Sequence, residues 1–270
     1  MNLNNSVINW GPFDLSGAGI GVTGAGGHLG REITRMLLAS GATVVVIGRN
    51  AKSLNEIADE STEYRGEIIV CPGDIADPAV IRTALDLLDN SSSTISGWVN
   101  NAYSSLGGSP GLNFERDEIK NGLLELENTM MVTKWVSERM SAGRGLKSIV
   151  NIASMYGVVS PNPEIYEGNS KLHNPAIYGV IKSALIQFTK YSAVHLAEKN
   201  IRVNSISPGP FPSARTQENS EFIKLIEQKV PMKRIGESIE LAGLVTFLLG
   251  NAASFITGEN IMIDGGWTAW

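Results

Sequence analysis

The run Gly19-Ile20-Gly21-Val22-Thr23-Gly24-Ala25-Gly26-Gly27-His28-Leu29-Gly30 sets the fold. Gly19–Thr23 reads as a short buried strand. The glycines after it open a turn inside which a helix starts, running to Ser40. Glycines let a backbone approach a pyrophosphate closely, and the free N–H groups of a first helical turn then bind it. A glycine-rich turn on its own is as often structural. Between a first strand and a first helix it points to a dinucleotide.

Outward from this turn the alternation continues. Ala42–Ile47 is apolar except for Thr43, as a strand covered on both faces should be. Ser53–Glu63 reads as a helix, Glu67–Cys71 as a strand, and Asp77–Asp89 as a helix that Asp77-Pro78 opens with a cap and an N1 proline. Strand Ile95–Val99, helix Arg116–Met140, strand Ser148–Ile152, helix Tyr178–Glu198 and strand Ile201–Ser205 follow. Helix Ser238–Leu249 and strand Asn260–Ile263 close the chain. Such alternation predicts an α/β fold. It should be a doubly wound parallel sheet of about seven strands in a single domain, with helices on both faces and a ligand at the C-terminal edge.

Composition narrows the function. With 270 residues, 43% apolar and 18% charged, the chain can bury one large core, and no linker divides it. A net charge of −5 offers no basic excess to neutralise phosphates, so nucleic acid is not an expected partner. The single cysteine, Cys71, excludes an intramolecular disulfide and a cysteine-based zinc site. His28, His173 and His195 lack metal-ligand spacing, so no metal is expected. The first residues lack a signal peptide's charged and apolar regions, and no apolar run approaches the ~20 residues that span a bilayer. A cytoplasmic protein without a membrane partner is the expectation.

Three further places carry chemistry. Strand two ends in Gly48-Arg49 where a carboxylate would hold the 2′-hydroxyl of NAD, and a guanidinium there can pair with the 2′-phosphate of NADP. A solvated arginine is the plain alternative. Tyr178 and Lys182 stand four apart on one helix face, where the ammonium can lower the phenol's pKa toward the working range. Ser154 follows the fifth strand, placed to donate to a substrate carbonyl oxygen as charge develops on it. Asn128 lies mid-helix before Met130-Met131-Val132, which suggests a tertiary role or a satisfied buried amide.

Over its whole length the sequence resembles the short-chain dehydrogenase/reductase family. The matching pieces are Thr23–Gly30, Gly73-Asp74-Ile75, Asn100-Asn101-Ala102, Asn128, Ser154, Tyr178, Lys182, Arg202-Val203-Asn204, Pro208-Gly209 and Ile263-Asp264-Gly265-Gly266. The resemblance implies a Rossmann-like domain over residues 1–270 and an NAD(P)-dependent oxidoreductase. It makes Tyr178 the general acid/base, Ser154 the group polarising the carbonyl, and Asn128 the anchor of a water in the proton relay. Lys182 would tune Tyr178 and hold the nicotinamide ribose. The cofactor, NADP before NAD, would meet Thr23, Gly24, Gly26, Gly27, His28, Leu29, Gly30 and Arg49. Asp74 and Ile75 would flank the adenine, Asn101 and Ala102 would lie along the cofactor, and Pro208, Gly209 and Ser213 would stand at the nicotinamide. Family members pair their two long helices across a two-fold axis, which implies a homotetramer or homodimer. Trp267 and Trp270 are expected at a subunit contact.

Three departures from the family pattern stand out. His28 replaces the middle glycine, so the turn also fits the longer sugar-nucleotide branch. Tyr103 replaces a glycine beside the nicotinamide and substrate space. Ser154 and Tyr178 are 24 residues apart, about ten more than is common. The extra segment, 158–176, and Tyr103 resemble oxidoreductases of nonulosonate and flagellin-sugar biosynthesis. Pro161–Asn174 is rich in polar side chains, including Glu164, Tyr166, Glu167, Lys171 and His173, and suits a hydroxyl-rich substrate. Tyr103, Tyr166 and His173 are therefore expected to face substrate. A sugar-nucleotide epimerase or dehydratase, and a non-catalytic dinucleotide-binding scaffold, are the alternatives; a tuned Tyr178 speaks against the scaffold.

Overall fold

The computed structural model describes residues 11–104, 111–143, 145–167 and 172–270. Its strands are β1 (Ala18–Thr23), β2 (Thr43–Gly48), β3 (Glu67–Pro72), β4 (Thr94–Asn100), β5 (Lys147–Ile152), β6 (Ile201–Pro208) and β7 (Asn260–Ile263). They form one seven-stranded sheet in the order β3-β2-β1-β4-β5-β6-β7, every pair parallel. Chain order reverses between β1 and β4, so the loops after these strands part and leave a crevice at the sheet's C-terminal edge.

The helices are α1 (His28–Ala39), α2 (Ala51–Glu60), α3 (Pro78–Asp89), α4 (Arg116–Ser141), α5 (Ala176–Leu196), α6 (Ala214–Gln217), α7 (Ser220–Lys229) and α8 (Ser238–Leu249). Strand β2 shows why both faces need cover. Val44 and Val46 point into a core with Ile33 and Leu37 of α1 and Leu241 and Val245 of α8. Val45 and Ile47 point the other way, into a core with Ile81 and Leu85 of α3 and Val132 and Val136 of α4. Alternate residues of one strand thus feed two cores, which is what its unbroken apolar run implied. Cys71 of β3 lies in the second core, 4% exposed, its thiol 3.8 Å from the Val80 carbonyl.

A buried polar chain ties the middle of the sheet to the long helices. Asn100 Nδ2 donates to Asn151 Oδ1 at 2.8 Å and to Thr133 Oγ1 at 2.9 Å, while its Oδ1 accepts from Trp98 Nε1 at 3.1 Å. Asn151 Nδ2 then donates to Thr189 Oγ1 at 2.9 Å. These bonds connect β4, β5, α4 and α5.

The elements depart from the sequence reading in three places. Helix α2 starts at Ala51 rather than Ser53, because Asn50 caps it through Ser53 N. Helices α6 and α7 occupy a stretch the alternation left unassigned; both are short, and α7 buries only Phe222 and Ile226. One 3-10 turn, Met155–Gly157, precedes the extra segment and another, Pro163–Tyr166, lies within it, where residues 168–171 fall outside those described. Of the two tryptophans expected at a subunit contact, Trp267 is partly buried against a cluster that includes Phe222 and Tyr166, and Trp270 is exposed. Leu123 and Met130 of α4 and Val180, Tyr191 and Val194 of α5 are also exposed. No described helix is long and apolar enough to cross a membrane.

Two helical glycines test the packing in opposite directions. A Cβ on Gly30 of α1 would stand 2.2 Å from the Gly24 carbonyl oxygen and 2.8 Å from Ala25 Cα, both backbone atoms that cannot yield cheaply. Gly30→Ala should therefore cost about 1–3 kcal/mol in urea unfolding. Gly243 of α8 is exposed and a Cβ there meets nothing within 4 Å. Gly243→Ala should add about 0.5–1 kcal/mol. A loss at Gly243 or no change at Gly30 would contradict this packing.

Candidate active site

The crevice is a cavity of about 740 Å³ at the ends of β1 to β4. Gly24, Gly26, Gly27, His28, Leu29 and Gly30 form one wall. Arg49, Asp74 and Ile75 line the far end, and Asn101, Ala102 and Tyr103 line the near side. Asn128, Phe211 and Ser213 also line it. Thr23 sits behind the wall, 1% exposed. Its hydroxyl donates to Val99 O at 3.2 Å and accepts from the N–H groups of Asn101 and Ala102, each at 3.0 Å. Asn101 Nδ2 returns the link, donating to the carbonyls of Thr23 at 3.0 Å and Gly24 at 3.1 Å. Pro208 and Gly209 lie off this lining, with Gly209 N bonded to Ile263 O at 2.9 Å.

The wall fits a dinucleotide. Gly24 adopts φ +65°, and a Cβ there would lie 2.7 Å from Ala102 Cα. Gly27 caps α1 with no side-chain acceptor, so the first-turn N–H groups face the cavity available to an anion. His28 is helical, which explains how it stands where a glycine is usual. Its ring reaches across to Ser238 Oγ, 3.0 Å from Nε2, and hydrogen-bonds the Phe211 backbone. Burial lowers its pKa, against the opposing pull of Glu32 and the Phe211 bond. The side chain thus links the turn to the loop after β6. At the tip of β2, Arg49 is exposed and makes no ion pair among the described residues.

Ser154, Tyr178 and Lys182 come together beside this cavity, around Tyr103. Ser154 is 6% exposed, and its Oγ accepts from Tyr156 N at 3.1 Å. Lys182, 8% exposed, donates from Nζ to Ile152 O at 2.7 Å. The same Nζ lies 5.3 Å from the Tyr103 ring centre and 5.8 Å from that of Tyr178. Tyr103 and Tyr178 meet edge to face at 5.2 Å. Burial pushes the Tyr178 phenol up, and the group that draws it back is the Ser154 hydroxyl. The expected lowering by Lys182 is thus corrected in the chain alone: loss of water around the phenol outweighs its neighbours.

Sequence reasoning missed Glu125. It lies one helical turn before Asn128, lines the same cavity, and accepts from Ser104 N at 3.4 Å. Burial lowers the Lys182 ammonium to about 8, and the Glu125 carboxylate works against that shift. The i,i+3 spacing from Asn128 was the available signal. Tyr156, two residues after Ser154, was also missed.

Tyr166 and His173, expected to face substrate with Tyr103, lie elsewhere. Both line a separate cavity of about 790 Å³ whose walls include Val158, Val159, Pro161 and Val180. Tyr166 is only 9% exposed and its phenol bonds that of Tyr156 at 2.5 Å. His173 packs edge to face on Tyr166 at 4.9 Å. The segment's polar side chains misled because Ile165 and Tyr166 turn inward, into an apolar cluster. Lys171 lies outside the described residues.

Known proteins resemble the chain in sequence and in fold. Residues 24–268 match the family model described as Enoyl-(Acyl carrier protein) reductase. The chain is 32% identical over 268 residues to galactitol 2-dehydrogenase (L-tagatose-forming) of Cereibacter sphaeroides, covering 96% of this chain and 98% of that protein. A solved short-chain type dehydrogenase/reductase from Mycobacterium marinum superposes with TM-score 0.83 at 30% identity, covering 96% of this chain and 98% of the other. A gluconate 5-dehydrogenase from Burkholderia cenocepacia, solved with NADP and tartrate, gives TM-score 0.80 at 26% identity, with 96% and 98% coverage.

The environment of Lys182 makes a pH prediction. A lysine in water titrates near ~10.4. With its pKa lowered to about 8, Lys182 carries its charge below that pH and loses it above. In protein labelled with ¹³C at lysine Cε, the signal missing from Lys182→Met should titrate with a midpoint around 8. A midpoint above about 10 would mean that the ammonium is not buried as described.

Proposed function

The chain belongs to the short-chain dehydrogenase/reductase family and is an NAD(P)-dependent oxidoreductase; from that premise we propose that Tyr178, Ser154, Lys182 and Asn128 carry the reaction, on a polar, sugar-like alcohol or its carbonyl, with NADP as the preferred cofactor. The observation that carries this reading is the meeting of Tyr178 with Ser154 and buried Lys182 beside a glycine-walled cavity. A nicotinamide dinucleotide bound there supplies or accepts the hydride. The phenol of Tyr178 gives its proton to the carbonyl oxygen in reduction and takes it back in oxidation. Ser154 donates a hydrogen bond to that oxygen as negative charge builds on it. Lys182 keeps a positive charge beside the phenol at neutral pH, where it offsets the phenolate that forms. Asn128 supplies an amide on the same wall, suited to hold a water of the proton relay.

The preference for NADP is supported by Arg49, free of an ion pair among the described residues at the tip of β2, next to Gly48 rather than a carboxylate. The polar substrate is supported by Glu125, Asn128 and Ser104 around Tyr103, and by the galactitol and gluconate of the two dehydrogenases compared above.

Tyr178→Phe keeps the ring against Tyr103 but removes the transferable proton, so turnover should fall by at least ~100-fold with cofactor binding intact. Near-normal turnover would sink the assignment. Arg49→Ala should weaken NADP(H) binding by about tenfold to a hundredfold and leave NAD(H) nearly unchanged, read by fluorescence titration of both cofactors. Equal weakening of both would remove the 2′-phosphate contact.

A further inference from the structure

Helix α7 has ten residues, too few to stay helical in water unaided. Its two buried side chains, Phe222 and Ile226, belong to one cluster with Ile165 and Tyr166 of the turn Pro163–Tyr166. The rings of Tyr166 and Phe222 are 5.7 Å apart, and Lys229 Nζ lies 3.7 Å from the Glu164 carboxylate. Among the described elements, this turn is the one α7 chiefly packs on.

The other side of the turn is tied to the reaction centre. The Tyr166 phenol bonds the Tyr156 phenol at 2.5 Å, and Tyr156 N donates to Ser154 Oγ at 3.1 Å. Tyr178 packs against the same cluster. Burial raises both the Tyr156 and Tyr166 pKa values, so at neutral pH the pair stays uncharged and its bond intact. Upstream of α7, Phe211 and Ser213 line the cavity. The extra segment therefore joins the serine at one end of the site to the helix that follows its far wall.

We propose that the turn Pro163–Tyr166 is the seat of α7. Ile165 and Tyr166 hold that helix against the Ser154–Tyr178 end of the cleft and act on substrate through its position, as positioning residues that do not touch substrate. This assigns the extra segment a role that its polar composition conceals. Its part in substrate binding rests on the reading of Ser154 and Tyr178 given above; the seat itself does not.

Hydrogen exchange on the full chain tests the seat without any substrate. In Ile165→Ala/Tyr166→Ala, amides of 220–229 should exchange at least ~tenfold faster while those of β1, β4 and β5 keep their protection. The coupling is reciprocal, so Phe222→Ala should expose the amides of 164–166. Unchanged exchange in 220–229 overturns the proposal. If the double variant loses protection everywhere, Ile165→Val decides: it trims one methyl group from the cluster that holds Phe222 and Ile226, and α7 must still exchange faster than in the parent chain. Kinetics with galactitol then test the positioning role. The seat variants should raise KM severalfold with kcat and NADPH affinity within about twofold of the parent chain. Faster exchange in α7 with an unaltered KM overturns that role. A parent chain that does not turn over galactitol counts against the proposed substrate, and the exchange rates of 220–229 then decide the seat by themselves.

Discussion

The site depends first on the distance between the glycine turn and the loop after β4, and that distance is set by Thr23 and Asn101. One hydroxyl and one amide make five hydrogen bonds that join the end of β1 and its glycine turn to the end of β4 and its loop. Each is worth about 1 kcal/mol net, yet losing a partner would strand buried carbonyls at a higher cost. Glycine at 24 is required by the same closeness, since Ala102 Cα stands where a side chain would go. One residue earlier, Asn100 turns inward and carries the connection through Asn151 and Thr189 into α5, the helix of Tyr178 and Lys182. Two successive asparagines thus fix the glycine turn and the helix of Tyr178 and Lys182 to one strand end. Fully satisfied polar chains of this sort specify a single arrangement where an apolar core would tolerate several.

Much of this was legible in the sequence because parallel strands buried on both faces leave long apolar runs, and β2 is the clearest case. The glycine turn, Ser154, Tyr178 and Lys182 were legible because their residue types are chemically demanding. Helices α6 and α7 were not, since a helix burying two side chains leaves almost no periodic trace. The extra segment misled for a related reason. Glu164, Glu167 and the flanking polar residues announce a surface, while the two side chains that decide its position, Ile165 and Tyr166, are outnumbered. Sequence also carries no depth: the spacing of Tyr178 and Lys182 shows that they are neighbours, and only the structure shows how much water both have lost.

Among the described residues three cations are buried, and none is neutralised by a direct ion pair. Lys147 donates to the carbonyls of Gly143 and Gly145, at 2.8 and 3.1 Å. Arg202 donates to those of Leu248 and Gly250, at 2.8 and 3.2 Å, at the C-terminal end of α8 where helix carbonyls favour positive charge. Lys182 shares the pattern through Ile152 but adds two aromatic rings and the field of Glu125. The first two close helix and loop ends and are structural. Only the third borders the cavity of the reaction centre. Carboxylate pairing is kept for the surface, as where Arg31 and Arg35 meet Glu56 and Glu60, and exposed pairs of that type add little to stability.

Cys71 has a practical side. It is the chain's one cysteine, sealed in a strand, and burial raises its thiol pKa so that little thiolate exists at neutral pH. Thiol reagents aimed at a cysteine placed on the surface will therefore meet almost no competing background. A spin label or fluorophore can be installed at one chosen site without first deleting the native residue, leaving the second core undisturbed.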